Sequence, residues 1–194
     1  MKTGNEELVT YIPIPLSGQR ADISPSALSS HLLSGYGEAV LLEGQCSVSD
    51  AYGFYAELAD KAMEIAYRES PTSPLFVIRS FLPTNYIHLA GTILAETLWR
   101  DARVPKNRGH KKPVAEKDEA LRIDLEKLWT KEDSALMDTE PSSAVRSFFS
   151  HLGAITDGTK VMITGEIPLA PALYALDYFW SGGTEVYYGE TRLK

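Results

Sequence analysis

The sequence predicts an α/β fold: a three-layer, Rossmann-like, mostly parallel sheet with helices on both faces and a charged, helical excursion in the middle. Three observations predict it. Short continuous apolar runs at 39–42 and 75–78 have the composition of strands buried on both faces, and 160–164 reads as a further strand. Between them lie stretches whose apolar residues recur every three or four positions, as on a helix with one buried stripe. Such alternation of strand and helix favours parallel pairing through right-handed crossovers.

Each element follows from local chemistry. Residues 8–16 are rich in β-branched and aromatic side chains, but Pro13 and Pro15 cannot donate to a ladder, so the run reads as an edge strand or an extended arm. Ser17-Gly18-Gln19 ends it. Ser24 or Ser26 caps a short helix over 27–33, stopped at Gly35. The run 39–42 is a buried strand. Ser49 and Asp50 cap a long helix carrying Tyr52, Tyr55, Leu58, Ala62, Ile65 and Ala66 on one stripe, with Pro71 and Pro74 bounding its exit. A second strand covers 75–78, with Phe81 and Leu82 as its outer limit. Thr84 or Asn85 then caps a helix with Ile87, Leu94 and Leu98 on its inner face.

The middle changes character. Residues 100–112 hold six bases and one acid, whereas 116–140 hold nine acids and four bases. A sparse helix over 119–128 shows one thin apolar edge of Leu121, Leu125 and Leu128. Residues 102–140 therefore read as an excursion from the sheet of a single 1–194 domain, too poor in apolar residues for a core of their own. The basic run reads first as a solvated loop balancing the acids behind it, since it has no interleaved aromatic residues, and second as a phosphate or nucleic-acid contact. A helix then begins near Pro141 and runs through Val145, Phe148, Phe149 and Leu152. The last forty residues return to alternation: a strand over 160–164, a helix over 168–180 stopped at Ser181-Gly182-Gly183, and a closing strand over 184–188.

Composition excludes several classes. With a formal charge of −7, 44% hydrophobic residues and one cysteine, the chain is neither disordered nor a disulfide scaffold, and its whole surface does not suit a polyanion. Residues 1–8 lack an apolar stretch, and the longest uncharged apolar stretch, near 81–95, falls short of the roughly 18–20 residues that span a bilayer. A cytoplasmic protein with no membrane partner is expected, with Cys46 read first as a small buried thiol and second as a nucleophile after a strand. Walker-type, nucleophile-elbow and complete dinucleotide glycine patterns are absent. The histidines His31, His88, His110 and His151 have no metal-ligand spacing, so no metal and no cofactor are expected.

In an open parallel sheet, ligands bind beyond the carboxyl ends of the strands. The loops expected there contribute Ser17 and Gly18; Gln45, Ser47 and Ser49; Thr84 and Asn85; and Thr164 and Gly165. Several feed helix N-termini, whose free N–H groups attract anions, although the same residues also serve as ordinary caps. Glu166 follows a strand and precedes a helix opening with Pro168. It reads first as a cap of that helix, then as a fence to the pocket, and third as a general base, with Glu43 as a second candidate base.

The segment Lys160-Val-Met-Ile-Thr164-Gly165-Glu166, followed by Leu169, Leu173, Leu176 and Gly183-Thr-Glu-Val186-Tyr187-Tyr188, resembles the final strand–turn–helix–strand unit of CARF domains. These are CRISPR-associated Rossmann-fold sensors of cyclic oligoadenylate. That family has a Thr-Gly-Gly-Thr-Lys-like turn; here Glu166-Ile167-Pro168 stands where the second glycine, the threonine and the lysine would be. The resemblance implies a module of CRISPR or antiviral defence that binds a small anionic ligand such as a nucleotide or cyclic oligonucleotide. Two alternatives stand beside it. One is a metal-independent, ring-nuclease-like phosphodiesterase at the same site. The other is an interaction subunit, since ten tyrosines, three tryptophans and an exposed closing strand suit a homodimer.

Overall fold

A computed structural model describes residues 7–16, 39–83, 85–88, 92–93, 120–152, 160–181 and 185–194. Among the described residues the strands form two four-stranded sheets and a two-stranded ladder. The ladder pairs β1 (Glu7–Leu8) with β6 (Tyr86–Ile87) in parallel. The first sheet has the order β2 (Tyr11–Pro15), β3 (Ala39–Glu43), β4 (Glu64–Arg68), β5 (Phe76–Ser80). Its first three strands are parallel and β5 is antiparallel. Strand β2 sits at the edge, where its prolines cost least. The second sheet runs β10 (Thr191–Arg192), β9 (Glu185–Tyr188), β8 (Lys160–Thr164), β7 (Leu121–Asp124). There β7, β8 and β9 are parallel and β10 is antiparallel. The protein is thus mixed α/β with mostly parallel sheets.

Helix α1 (Val48–Leu58) connects β3 to β4. A short turn α2 (Leu125–Leu128), helix α3 (Lys131–Thr139) and helix α4 (Pro141–Leu152) connect β7 to β8. Helix α5 (Leu169–Ser181) connects β8 to β9. From Leu169 to Trp180 every side chain of α5 but Tyr178 is buried. A helix apolar on all sides has no solvent face to present, so it becomes the centre of the core. It packs on α1, α4, β5 and β9, and one apolar cluster takes residues from both sheets and from α1, α4 and α5. Two tyrosines fasten it: Tyr174 donates to the Val77 carbonyl at 2.8 Å, and Tyr52 donates to the Ala172 carbonyl at 2.9 Å. None of the described helices is long and apolar enough to cross a membrane.

The core also holds charge beside α5. Asp177, 1% exposed, accepts from Tyr55 Oη and lies 3.2 Å from Arg79 Nε. Arg79 in turn donates to the Ala59 carbonyl at 2.8 Å, just past the end of α1. A carboxylate is retained in such a place only when paired.

Several expectations are corrected. The helix expected through Ala66 stops at Leu58, where the Lys61 and Ala62 amides turn back to the Leu58 carbonyl. Residues Ile65 and Ala66, which fit the helical stripe, belong instead to β4, buried on both faces. This extra strand reverses the next one, so β5 runs antiparallel with Glu64 opposite Ser80. The helix expected from Asn85 begins as strand β6, and Ile87 is exposed rather than inward. Further on, Ile93 bridges Phe76 in parallel. Within the helix expected over 119–128, residues 121–124 are instead strand β7, which pairs with β8 and buries Ile123, and only Leu125–Leu128 is helical. Helix α3 was not anticipated; Thr130 and Asp133 start it with a reciprocal capping box. The closing strand β9 is not an edge, because β10 covers it. The expected helix at 27–33, most of that at 84–98, and the basic run 100–112 lie outside the described residues.

Removing Asp177 leaves Arg79 and Tyr55 without their shared acceptor. Asp177→Ala is expected to lower unfolding free energy by about 3–5 kcal/mol. Glu57→Ala, which breaks only an exposed pair with Lys61, should change it by less than about 0.5 kcal/mol. Urea denaturation of the two variants measures the difference.

Candidate functional site

The crossovers β3–α1–β4 and β8–α5–β9 join parallel neighbours, so the carboxyl ends of β3 and β8 lead into the starts of α1 and α5. Strand β3 ends in Gly44, whose φ of 120° only glycine adopts readily, and Tyr67 Oη donates to its carbonyl at 3.1 Å. Ser47 then caps α1, accepting from the Asp50 amide at 3.1 Å. Strand β8 ends in Thr164. Gly165 follows at φ 92°, with Asp124 Oδ1 only 3.0 Å from where a Cβ would stand.

Glu166 joins the two loops. One carboxylate oxygen accepts from the Val48 amide at 3.1 Å, and the other accepts from Tyr188 Oη at 3.2 Å. Val48 is the first residue of α1, whose amide has no partner within the helix. A carboxylate 118 residues away therefore fills an anion position at a helix start. Glu166 is a cap, as its sequence position suggests, but of α1 rather than of the helix that follows it. Its own amide donates to Glu126 Oε1 at 3.0 Å, and Tyr188 stacks edge-on against Tyr52 at 5.1 Å.

The surroundings are acidic. Asp124, Glu126 and Glu166 lie around Gly165; Glu43 accepts from Arg68 Nε, and Glu69 accepts from the exposed Gln45. Partial burial, and then the Glu166 and Glu126 carboxylates, push the Tyr188 phenol up to about 12. Burial, and then the charges of Asp50 and Glu166, push the Cys46 thiol up to about 11. Cys46 is thus a protonated, half-buried thiol at neutral pH, not an activated nucleophile. Among the described residues no group of three His, Cys, Asp or Glu side chains is placed to hold a metal ion.

The sequence-predicted site residues divide accordingly. Gln45, Ser47, Gly165 and Glu166 lie on the two loops that meet, with Ser49 in the first turn of α1 and Thr164 at the end of β8 beside them. Ser49 and Thr164 are exposed, and Thr164 Oγ1 donates to the Ile123 carbonyl at 3.4 Å. Asn85 does not join them. It lies beside the β1–β6 ladder, near the start of β3, because β5 runs antiparallel and delivers its end to the opposite pole. Ser17, Gly18 and Thr84 lie outside the described residues.

A second polar cluster at that opposite pole escaped sequence reasoning. Glu64, fully buried, accepts from Ser80 Oγ at 2.8 Å and from Tyr11 Oη, which reaches across the small Ala39. His88 Nδ1 stands 3.6 Å from Glu64 and 3.5 Å from Tyr11 Oη. Burial, and then Glu64, push the Tyr11 phenol far above its ordinary value. Nearby lies a cleft of about 430 Å³ lined by Leu8, Val9, Ile12, Ala39, Leu82 and Tyr86. The one clue in sequence was an acid, Glu64, interrupting an apolar stripe.

Comparison with protein-family models, curated proteins and solved structures finds no match for this chain.

Cys46 is the sole cysteine, so its reactivity reads the junction directly. Its alkylation rate should keep rising with pH until about 11. Glu166→Gln should shift that profile to lower pH, as stopped-flow labelling would measure. A profile unmoved by the substitution would place Glu166 away from the thiol. Glu166→Ala should cost about 0.5–2 kcal/mol, the range for a lost N-terminal cap, in a denaturant titration.

Proposed function

We propose that the protein is a non-catalytic binding module of CARF-like, three-layer Rossmann-like architecture that takes a nucleotide at the junction of the β3–α1 and β8–α5 loops. The observation that carries this reading is the Glu166 carboxylate seated on the Val48 amide. It marks a position where the fold already favours an oxyanion, and a ligand phosphate can exchange with it. The exposed Ser47 and Ser49 hydroxyls supply donors around that position, while Gln45 and Thr164 already donate to Glu69 and to the Ile123 carbonyl. The adjoining acids favour a ligand with few phosphates over a highly charged cyclic oligoadenylate. In the phosphodiesterase reading Glu166 or Glu43 acts as a base. Both are already engaged, Glu166 by Val48 and Tyr188 and Glu43 by Arg68, which favours the binding reading.

Differential scanning fluorimetry with mononucleotides, dinucleotides and cyclic oligoadenylates tests it. A ligand at 100 times its Kd stabilises by about 2.7 kcal/mol, which is a readily measured rise in Tm. Glu166→Gln removes the competing charge and should bind the same ligand more tightly. No rise in Tm for either protein with any nucleotide would overturn the reading.

A further inference from the structure

The second sheet has a face that the core does not use. Strands β7, β8 and β9 succeed one another in one direction, so both right-handed crossovers, α4 and α5, lie on the same side. Leu121, Ile123, Val161, Ile163, Val186 and Tyr188 face that side and join the apolar cluster. Their alternates face away. Register places Arg122, Met162, Tyr187 and Arg192 side by side across all four strands, one residue per strand. Arg122 and Arg192 are exposed, Met162 and Tyr187 are half-buried, and neither Met162 nor Tyr187 belongs to an apolar cluster. Lys160, one step along β8 on the same face, holds its ammonium 4.7 Å from the centre of the Tyr187 ring.

Charge on this face runs against the chain as a whole. Its cations are Arg122, Lys160 and Arg192; its acids are Glu185, which pairs with Arg192 at 3.6 Å, and Asp124, which pairs with Lys127 at 3.2 Å. Arg122 has no acidic partner among the described residues. A protein of charge −7 thus places two cations that have no acidic partner among the described residues, Arg122 and Lys160, around a thioether and a half-buried aromatic ring whose hydroxyl donates to Glu185 at 3.2 Å.

We propose that this face binds single-stranded nucleic acid. A base stacks on Tyr187 against Met162, displacing the Lys160 ammonium from the ring. Lys160 and Arg122 then contact the flanking phosphates. A half-buried ring between cations recognises a single strand because every base has a stacking face, whereas paired bases present none. The proposal is independent of the nucleotide site at the strand carboxyl ends.

Fluorescence anisotropy with labelled oligouridine and oligodeoxythymidine at low salt tests it, with a blunt duplex as competitor. Saturable binding of a single strand is expected, with little competition by duplex. Tyr187→Ala should weaken binding about tenfold, whereas Tyr187→Phe should retain it. Arg122→Ala and Lys160→Ala should each reduce the salt dependence by about 0.7 in the slope of log affinity against log salt. Glu57→Ala, at an exposed pair with Lys61 on α1, should leave oligonucleotide binding unchanged. Circular dichroism of each variant separates lost binding from lost fold. No binding by the unaltered chain, or equal affinity in folded Tyr187→Ala, would overturn the proposal; the second result would move the contact elsewhere, the basic run 100–112 first.

Discussion

The contact between Glu166 and the Val48 amide fixes how the two halves of the protein meet. It links the loop after β8 to the first turn of α1, so the carboxyl end of one sheet closes on that of the other. Every other feature of the junction leans on it. Gly165 must be glycine because Asp124 and the Glu126 backbone crowd the position. Tyr188 and Tyr52 stack beneath the carboxylate, and Tyr52 passes the connection on to α5 through the Ala172 carbonyl. An orphan helix amide and a carboxylate satisfy one another, and neither needs to seek water.

Behind the junction, the core solves the problem of a wholly apolar helix. Helix α5 is buried because no face of it is polar, apart from Asp177, and Asp177 is held by Tyr55 and Arg79 from the elements α5 packs against. Asp177 is therefore a cross-link between elements distant in sequence. The same logic recurs at the opposite pole, where Glu64 ties β2, β4 and β5 together through Tyr11 and Ser80. The two poles differ in one respect: the Glu64 carboxylate is fully buried, whereas Glu166 is exposed.

Much of this was legible in the chain. Strands β3, β8 and β9 and helices α4 and α5 lie where periodicity placed them, and the prolines of β2 marked it as an edge. What failed did so for definable reasons. Ile65 and Ala66 satisfy both a three-to-four and a two-residue repeat, and only pairing with β3 and β5 decides for a strand. Missing β4 reversed the expected direction of β5 and sent Asn85 to the wrong pole. Residues 121–124 look sparse because β7, at a sheet edge, buries only Ile123 fully and points Arg122 outward. Glu166 was recognised as a cap but assigned to its neighbour in sequence, since the amide it meets belongs to a residue 118 positions earlier.

Hydrogen exchange at the Val48 amide tests the central contact most directly. A first-turn amide ordinarily faces water and exchanges fast, because the helix supplies it no acceptor. Nuclear magnetic resonance should find Val48 protected in the unaltered protein and exchanging freely in Glu166→Ala, while amides in the last turn of α1 keep their protection. A Val48 amide that exchanges equally fast in both proteins would contradict the account, because the two loops would then meet without the bond that defines the site.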